Sequence, residues 1–280
     1  MIIFNKYKII EHLNNGGCAS VYKGENIRTK EVVAIKTENK NTPESGSGLL
    51  KREAQIYVYL GSLKGFPSVK WFGSDDSSYY LVMNLLGDSL QTVRMKYQNC
   101  SLSMVKMIGI QMIHRVQSLH TRGLVHRDIK PGNFVFGLHD AELLHLIDFG
   151  FCKRYKLANN KHIPYKTTSN IIGTINFISL NVHKKMEPSR RDDLESVVYI
   201  LVFLLGKMEW EKYTIQDLDT ILKIIECKQN IIHNIPDCLK EMLEHIWKLD
   251  FHDVPDYNLL MGLLTENITI PHKPFKDCFI

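Results

Sequence analysis

Two loop motifs, each following an apolar strand-like stretch, constrain this sequence most strongly. The first, HRDIKPGN, follows GLV and supplies Asp128, Lys130 and Asn133. The second, DFG, follows LLHLI and begins at Asp148. Carboxylate and amide oxygens are ligands that Mg²⁺ prefers, and a lysine beside them can neutralise an anion. The two loops therefore predict a site for a phosphate-bearing substrate and a magnesium ion.

A lysine upstream of both loops supplies a second cation. In EVVAIKTE, strand alternation places Ala34 and Lys36 on one face, so we expect Ala34 to line an adenine pocket and Lys36 to meet phosphate. Glu53, on a helix inside an otherwise strand-rich region, is predicted to pair with Lys36. Taken alone, Lys36 fits a solvated strand-end lysine better, and Asp148 fits a turn before glycine. The ordered occurrence of all these motifs favours the catalytic interpretation.

Phosphoryl transfer assigns a task to each of these groups. Asp128 is predicted to accept or orient the substrate hydroxyl, and Lys130 to neutralise the transferring phosphoryl group. Asn133 and Asp148 are predicted to hold magnesium. We therefore expect an enzyme that uses ATP and Mg²⁺, with the upstream lysine–glutamate pair fixing the nucleotide phosphates.

Hydrophobic periodicity divides the chain into a strand-rich part and a mainly helical part. Up to Trp71 the strand-like segments YKIIEHL, SVYKGENI and EVVAIKTE alternate with turns, and one helix, within LLKREAQIYVYLGSL, interrupts them. Beyond that part helical spacing dominates. We predict an α+β fold in a single domain, residues 1–280, with an N-terminal antiparallel β lobe at residues 4–86 and a helical lobe at residues 87–280.

Composition narrows the choice of partners and compartment. The formal net charge of +5 is too small to require nucleic acid, and the longest apolar run, VVYILVFLLG, is about half of the ~20 residues that a membrane span needs. We interpret this run as a buried core helix. The 6 cysteines form no C-x-x-C pair, and no secretory signal pattern opens the chain. We expect an intracellular monomer of the cytoplasm or nucleus, with no membrane partner.

The chain resembles a eukaryotic-type protein kinase over essentially its whole length. The stretches HIPY, GTINFISLNVH and SRRDDLES are similar to the casein kinase 1 family, in which S-I-N replaces the usual A-P-E; here the residues are Ser179, Leu180 and Asn181. Vaccinia-related kinases are a weaker match. The resemblance implies the bilobal kinase fold and a serine/threonine protein kinase whose substrates are proteins, acidic ones included. A tyrosine kinase is disfavoured by Lys130 in HRDIKPGN.

Further residue roles follow from this resemblance alone. It implies that Met83 is the gatekeeper of the nucleotide pocket and that Leu86 presents backbone groups to adenine. It also implies that Asp193 ties the catalytic loop in place and that Thr174 of the substrate loop lies near Asp128.

The substrate loop departs from the casein kinase 1 pattern at one position. That family has G-T-A-R-Y, whose arginine helps to bind the phosphate of an already phosphorylated substrate, whereas this chain reads GTINF with Asn176 in its place. The lysine-rich stretch that the family carries further on is also missing after Trp210. We therefore predict a weaker dependence on phosphate-primed substrates.

The stretch LNNGGCASVYKG is interpreted as a degenerate nucleotide-binding glycine loop. Against G-x-G-x-x-G-x-V, only Gly16 matches a glycine, and Asn14 and Ala19 stand in the other two places. Loops of this kind bind phosphate through backbone N–H groups, so nucleotide binding is expected with a more mobile lid and weaker ATP affinity. A pseudokinase scaffold that binds partners without phosphoryl transfer is the alternative. The full set predicted to bind ATP is Leu13, Asn14, Gly16, Gly17, Val21, Ala34, Lys36, Met83 and Leu86.

Overall fold

The computed structural model describes residues 2–15, 19–41, 48–97, 100–214 and 217–266. The chain forms two compact units. The first comprises residues 1–87 and 136–150, and the second comprises residues 88–135 and 151–280. The first is a β-sheet with one helix and the second is mainly helical, so the α+β class predicted from the sequence is confirmed.

An antiparallel sheet of six strands builds the first unit, in the order β1-β2-β3-β4-β6-β5. The strands are β1 Ile2–Ile3, β2 Tyr7–Asn15, β3 Ser20–Asn26, β4 Val32–Asn39, β5 Val69–Ser74 and β6 Ser78–Asn84. Short strands follow along the chain: β7 Leu86–Ser89, β8 Leu124–Val125, β9 Phe134–Gly137, β10 Leu144–Leu146 and β11 Lys153–Arg154. β8 and β11 pair with each other in the second unit.

Strand alternation in β4 separates the core from the face that carries the candidate site. Val33 and Ile35 are fully buried in one hydrophobic cluster with residues of β1, β2 and β6. Ala34 and Lys36 are less buried and point to the other face, because successive side chains of a strand alternate. The sheet core therefore fixes the direction of Lys36.

Among the described residues of this unit the helix is α1 Leu49–Leu60. It lies where its periodicity predicts, although it ends three residues before the end of the stretch LLKREAQIYVYLGSL. Its first turn contains no acidic residue. Instead Glu38, at the end of β4, accepts hydrogen bonds from the N–H groups of Leu49 at 3.3 Å and Leu50 at 2.7 Å. A carboxylate on the free N–H groups stabilises a helix start, so β4 anchors α1 beside Lys36.

Helices dominate the second unit. They are α2 Leu90–Tyr97, α3 Leu102–Thr121, α4 Leu180–His183, α5 Arg190–Leu204, α6 Leu218–Asn230, α7 Asp237–Trp247 and α8 Tyr257–Thr265. Short 3-10 turns occur at Pro131–Asn133, Glu209–Lys212 and Ile231–His233. No helix among the described residues has both the length and the apolar character needed to cross a membrane.

The apolar run VVYILVFLLG forms most of α5, and its residues 197–204 are buried, which confirms it as a core helix. At the start of this helix the N–H of Ser189 donates to Oδ2 of Asp192 over 2.7 Å, which is one half of a capping box. The apolar side chains of α3 at Val105, Ile108, Met112, Val116 and Leu119 are likewise buried. These two helices therefore form much of the core of the second unit.

Candidate active site

In the first unit, Lys36 stands between two carboxylates. Its Nζ lies 2.7 Å from Oε2 of Glu53 and 2.9 Å from Oδ1 of Asp148. The Glu53 side chain is 2% exposed, whereas that of Asp148 is 35% exposed. The structure thus brings together the predicted Lys36–Glu53 pair and adds the DFG aspartate to it.

Burial and charge act in opposite directions on this cluster. Burial disfavours the Lys36 cation, but attraction and hydrogen bonds from Glu53 and Asp148 outweigh it and raise the pKa of Lys36 above its ordinary value. Burial raises the pKa of Glu53, and Lys36 opposes that shift. Lys36 therefore stays protonated across the neutral range and can serve as a fixed cation for an anionic ligand.

Sequence reasoning does not single out Tyr57, which holds the DFG backbone. The N–H of Asp148 donates to Oη of Tyr57 over 3.0 Å, and the rings of Tyr57 and Phe149 meet edge to face with centroids 4.8 Å apart. Asp148 has φ 66°, a left-handed conformation that non-glycine residues rarely adopt. Helical spacing places Tyr57 one turn of α1 after Glu53, but it does not reveal the contact with Asp148.

Strand register aligns four residues predicted to face the nucleotide. Val21 lies opposite Lys36 in the β3–β4 pair, and Ala34 lies opposite Met83 in the β4–β6 pair. Directly opposed residues of an antiparallel pair share a face, as do residues two apart in one strand. All four therefore share one face of the sheet, away from the hydrophobic cluster.

The remaining residues predicted to bind ATP lie in β2, at the start of β7 or outside the described residues. Leu13 is 44% exposed on β2, and Asn14 lies opposite Val21. Leu86 is half-buried at the start of β7. Gly16 and Gly17, the centre of the degenerate glycine loop, lie outside the described residues.

In the second unit, three side chains converge on Asp128. Thr174 Oγ1 donates to Oδ1 of Asp128 over 2.9 Å, and Lys130 Nζ lies 2.7 Å from Oδ2. Asn133 Nδ2 donates to the Asp128 carbonyl oxygen over 2.8 Å. The Asp128 side chain is nearly buried, at 3% exposed, while that of Lys130 is 31% exposed. The arrangement fixes a carboxylate with a partly exposed cation beside it.

A buried aspartate on α5 holds the loop that carries Asp128. Asp193 accepts hydrogen bonds from the backbone N–H groups of His126 at 2.7 Å and Arg127 at 2.9 Å. His120, which the motifs do not reveal, contacts the same carboxylate through Nε2 at 2.9 Å. Although burial opposes ionisation, His120 and these backbone bonds hold the pKa of Asp193 below its ordinary value. The anion stabilises the left-handed turn at Arg127, whose φ is 69°.

The two residues predicted to hold magnesium, Asn133 in the second unit and Asp148 in the first, each offer an oxygen atom that suits a hard cation. The amide nitrogen of Asn133 is committed to the Asp128 carbonyl, which leaves the amide oxygen as the atom able to ligate. Asp148 presents a partly exposed carboxylate. Oxygen donors of this kind suit Mg²⁺, which is usually bound by one or two protein ligands together with substrate phosphates.

The predicted substrate loop, GTINF at residues 173–177, starts at a glycine that its geometry requires. Gly173 has φ 102°, and a Cβ at this position would lie 2.7 Å from the carbonyl oxygen of Arg127. Farther along, the carbonyl of Asn176 accepts a hydrogen bond from Nε1 of Trp210 over 2.9 Å. Oδ1 of Asn176 is buried and has no hydrogen-bond partner among the described residues. An uncharged amide thus lies at the position where the casein kinase 1 pattern has arginine.

The family model described as "Protein kinase domain" matches residues 7–257. The match spans β4, α1, both motif loops and the substrate loop, so it includes every side chain that converges on Lys36 or Asp128. It supports a phosphotransferase, and protein kinase domains generally use ATP and Mg²⁺. The chain therefore belongs to the protein kinase family.

Proposed function

We propose that this chain is a serine/threonine protein kinase of the casein kinase 1 type, which transfers the γ-phosphoryl group of ATP to protein hydroxyls. One observation carries the proposal: Asp128 is buried and bonded to both Thr174 and Lys130, at 2.9 and 2.7 Å. A carboxylate with fixed orientation and an adjacent cation is what in-line phosphoryl transfer to a hydroxyl requires.

In the proposed mechanism, Asp128 orients the substrate hydroxyl and accepts its proton. Thr174 fixes one carboxylate oxygen, which leaves the other to face the hydroxyl and Lys130. Lys130 is partly exposed and neutralises charge on the transferring group. The hydroxyl oxygen forms a bond to phosphorus as the bond from phosphorus to the ADP oxygen breaks, and ADP leaves.

Lys36 has the complementary task of binding the nucleotide phosphates. Glu53 keeps the Lys36 ammonium in place, and the raised pKa of Lys36 keeps it charged. When bound, Mg²⁺ would supply positive charge that neutralises the charge developing on the phosphates. Asn133 and Asp148 are the residues that we propose to hold it.

Lys130 supports the proposed choice of hydroxyl, and Asn176 and Lys228 support the proposed independence from priming. Lys130 within HRDIKPGN favours serine and threonine over tyrosine. Reduced dependence on primed substrates is supported by the uncharged Asn176 and by Lys228, whose Nζ is fully buried and bound to Ile175 and Ile178 carbonyls. That cation is therefore committed inward and is not presented to a substrate phosphate.

Transfer of radiolabelled phosphate from ATP to casein tests the proposal, with Asp128→Asn as the matched control. We expect label on serine and threonine, reduced at least about 1,000-fold in the variant. Label no higher than in the variant would instead support the pseudokinase scaffold. A primed peptide and its unprimed twin should differ little; a large preference for the primed peptide that high salt abolishes would contradict the priming proposal.

For the cellular setting, we propose an intracellular monomer whose partners are protein substrates, acidic ones included. The net charge of +5 provides a mild attraction to acidic segments but no requirement for nucleic acid.

A further inference from the structure

A lysine with no assigned task is completely buried beneath the substrate loop. Lys228, on α6, is 0% exposed, although lysine is among the residues least often buried without a partner. Its Nζ lies 2.9 Å from the carbonyl oxygen of Ile175, 2.7 Å from that of Ile178 and 3.0 Å from Nε2 of His183. An ammonium group has three N–H donors, so these three acceptors account for all of them.

The surroundings of Lys228 act on its charge in opposite directions. The rings of Tyr199 and Trp210 lie 4.9 and 5.7 Å from its Nζ, at the distance of cation–π contacts. Burial lowers the pKa of Lys228, and the attraction of buried Glu195 opposes that shift. Burial and the Lys228 charge also lower the pKa of His183 to about 3, so this imidazole is neutral and its Nε2 can accept.

Two neighbours of Lys228 bind the same stretch of backbone. Trp210 Nε1 donates to the Asn176 carbonyl over 2.9 Å, and Oε1 of Glu195 accepts from the N–H of Leu180 over 2.8 Å. We call Lys228, Trp210 and Glu195 the loop clamp. The clamp engages residues 175, 176, 178 and 180, immediately after Thr174, which binds Asp128. Side chains from α5, α6 and a 3-10 turn thus fix the backbone next to the proposed catalytic carboxylate.

We propose that Lys228 is a positioning residue for the protein substrate, holding residues 175–178 in the conformation that receives the substrate segment. The inference rests on the proposed function, since it assigns this loop to protein substrates. Lys228 makes no contact with Asp128 and acts through the loop backbone. Its effect is therefore on the KM for the protein substrate, and the KM for ATP does not depend on it.

Steady-state kinetics distinguish this role from a purely structural one. Lys228→Met keeps an unbranched side chain of similar length but removes the charge and all three donors. We expect the KM for a peptide substrate to rise at least about 10-fold while the KM for ATP changes less than about 2-fold. Lys223→Met, an exposed lysine on the same helix, is the matched control and should leave both constants unchanged. A fall in kcat and Tm with the peptide KM unchanged would overturn the inference.

Amide hydrogen exchange of the full chain tests the clamp independently of activity. In Lys228→Met, amides of residues 175–180 should exchange at least about 10-fold faster, while residues 126–133 keep their protection. Equal exchange in variant and wild type would overturn the clamp even if the kinase is active. If the wild type transfers no phosphate, the proposed function fails, but the exchange result still decides the clamp.

A milder variant covers the case in which Lys228→Met does not fold. Trp210→Phe keeps an aromatic ring but removes the Nε1–H that donates to the Asn176 carbonyl, together with part of a fully buried ring system. We expect severalfold faster exchange of residues 175–178 and a smaller rise in the peptide KM. Unchanged exchange and unchanged peptide KM in this variant would contradict the clamp.

Discussion

The hydroxyl of Thr174 donates a 2.9 Å hydrogen bond to Oδ1 of Asp128, joining the proposed substrate loop to the HRDIKPGN loop within the second unit. Thr174→Val keeps the shape of the side chain but removes this donor. A hydrogen bond to a charged group contributes about 1.5 to 3 kcal/mol, so we expect kcat to fall about 10-fold or more. Thr174→Ser retains the hydroxyl and should keep most activity. Equal kcat values for the valine variant and the wild type would show that this bond does not orient Asp128.

The buried ion pair of Lys36 with Glu53 gives a second prediction. Glu53→Gln removes the negative charge from a position that is 2% exposed and leaves Lys36 with Asp148 as its remaining carboxylate partner in the first unit. We expect phosphoryl transfer to fall at least about 10-fold, because the phosphate-binding lysine loses its principal support. Transfer is measured with radiolabelled ATP at saturating peptide.

An exposed pair in the same unit provides the control for Glu53→Gln. Glu25 lies 3.2 Å from Lys30, whose side chain is 71% exposed, and surface pairs contribute about 0 to 1 kcal/mol. Glu25→Gln should therefore leave transfer unchanged. Similar losses in the two variants would mean that the defect is a general effect of charge on the unit.

The motif residues could be predicted from sequence because each motif is local. Lys36, Asp128 and Asp148 each lie at the end of a short apolar stretch, so their strand or loop setting follows from alternation and spacing. Predicting the partner of Lys36 required one further inference, namely that the glutamate on the helix predicted within the strand-rich part pairs with this lysine.

Residues whose role depends on tertiary contacts could not be predicted in this way. Lys228 lies on an amphipathic helix, where the pattern alone indicates a solvated lysine, and its carbonyl partner Ile178 is 50 positions away. Glu38 caps α1 from a strand, and Tyr57 binds the N–H of Asp148 from 91 positions upstream. These contacts arise only once the elements pack, and no local periodicity encodes them.

Tyr57→Phe tests the support of the DFG backbone. The variant keeps the ring that packs on Phe149 but removes the oxygen that accepts from the Asp148 N–H. Asp148 is in a left-handed conformation, so the loss of this bond should cost about 1 kcal/mol and reduce transfer severalfold. Chemical denaturation measures the loss of stability, and the transfer rate together with the KM for Mg-ATP measures the loss of activity. Tyr59→Phe, at an exposed tyrosine of the same helix, is the control. An equal effect in this variant would show that the Tyr57 hydroxyl does not specifically support the Asp148 backbone.

The pKa of His183 leads to a prediction of stability against pH. Burial, followed by the charge of Lys228, lowers this pKa from 6.5 to about 3. Below pH 6.5 the His183 imidazole therefore becomes protonated in the unfolded chain, whereas in the folded chain it stays neutral down to about pH 3. Stability is lost as pH falls through this range, and His183 accounts for about 2 kcal/mol of loss between pH 7 and pH 5.

His183→Gln places an amide group where the imidazole Nε2 accepts from Lys228, and it removes the titration. Its unfolding free energy, measured by denaturant titration at pH 7 and pH 5, should fall about 2 kcal/mol less than that of the wild type. His114→Gln, at an exposed histidine of α3, controls for the loss of an imidazole. The same pH dependence in His183→Gln and wild type would show that His183 is not held neutral.

Substitution of glycine by alanine should have opposite effects on stability at Gly173 and at Gly262. At Gly173, φ is 102° and an added Cβ would lie 2.7 Å from the Arg127 carbonyl oxygen and 2.9 Å from Cγ2 of Ile178. Gly173→Ala should therefore cost about 1 to 3 kcal/mol and displace Thr174 from Asp128, lowering kcat. At Gly262, inside α8, an added Cβ meets nothing within 4 Å, so Gly262→Ala should stabilise the fold by about 0.5 to 1 kcal/mol with kcat unchanged. Denaturant titration and kinetics of both variants check the pair, and a harmless Gly173→Ala would show that the turn into the substrate loop is not constrained as described.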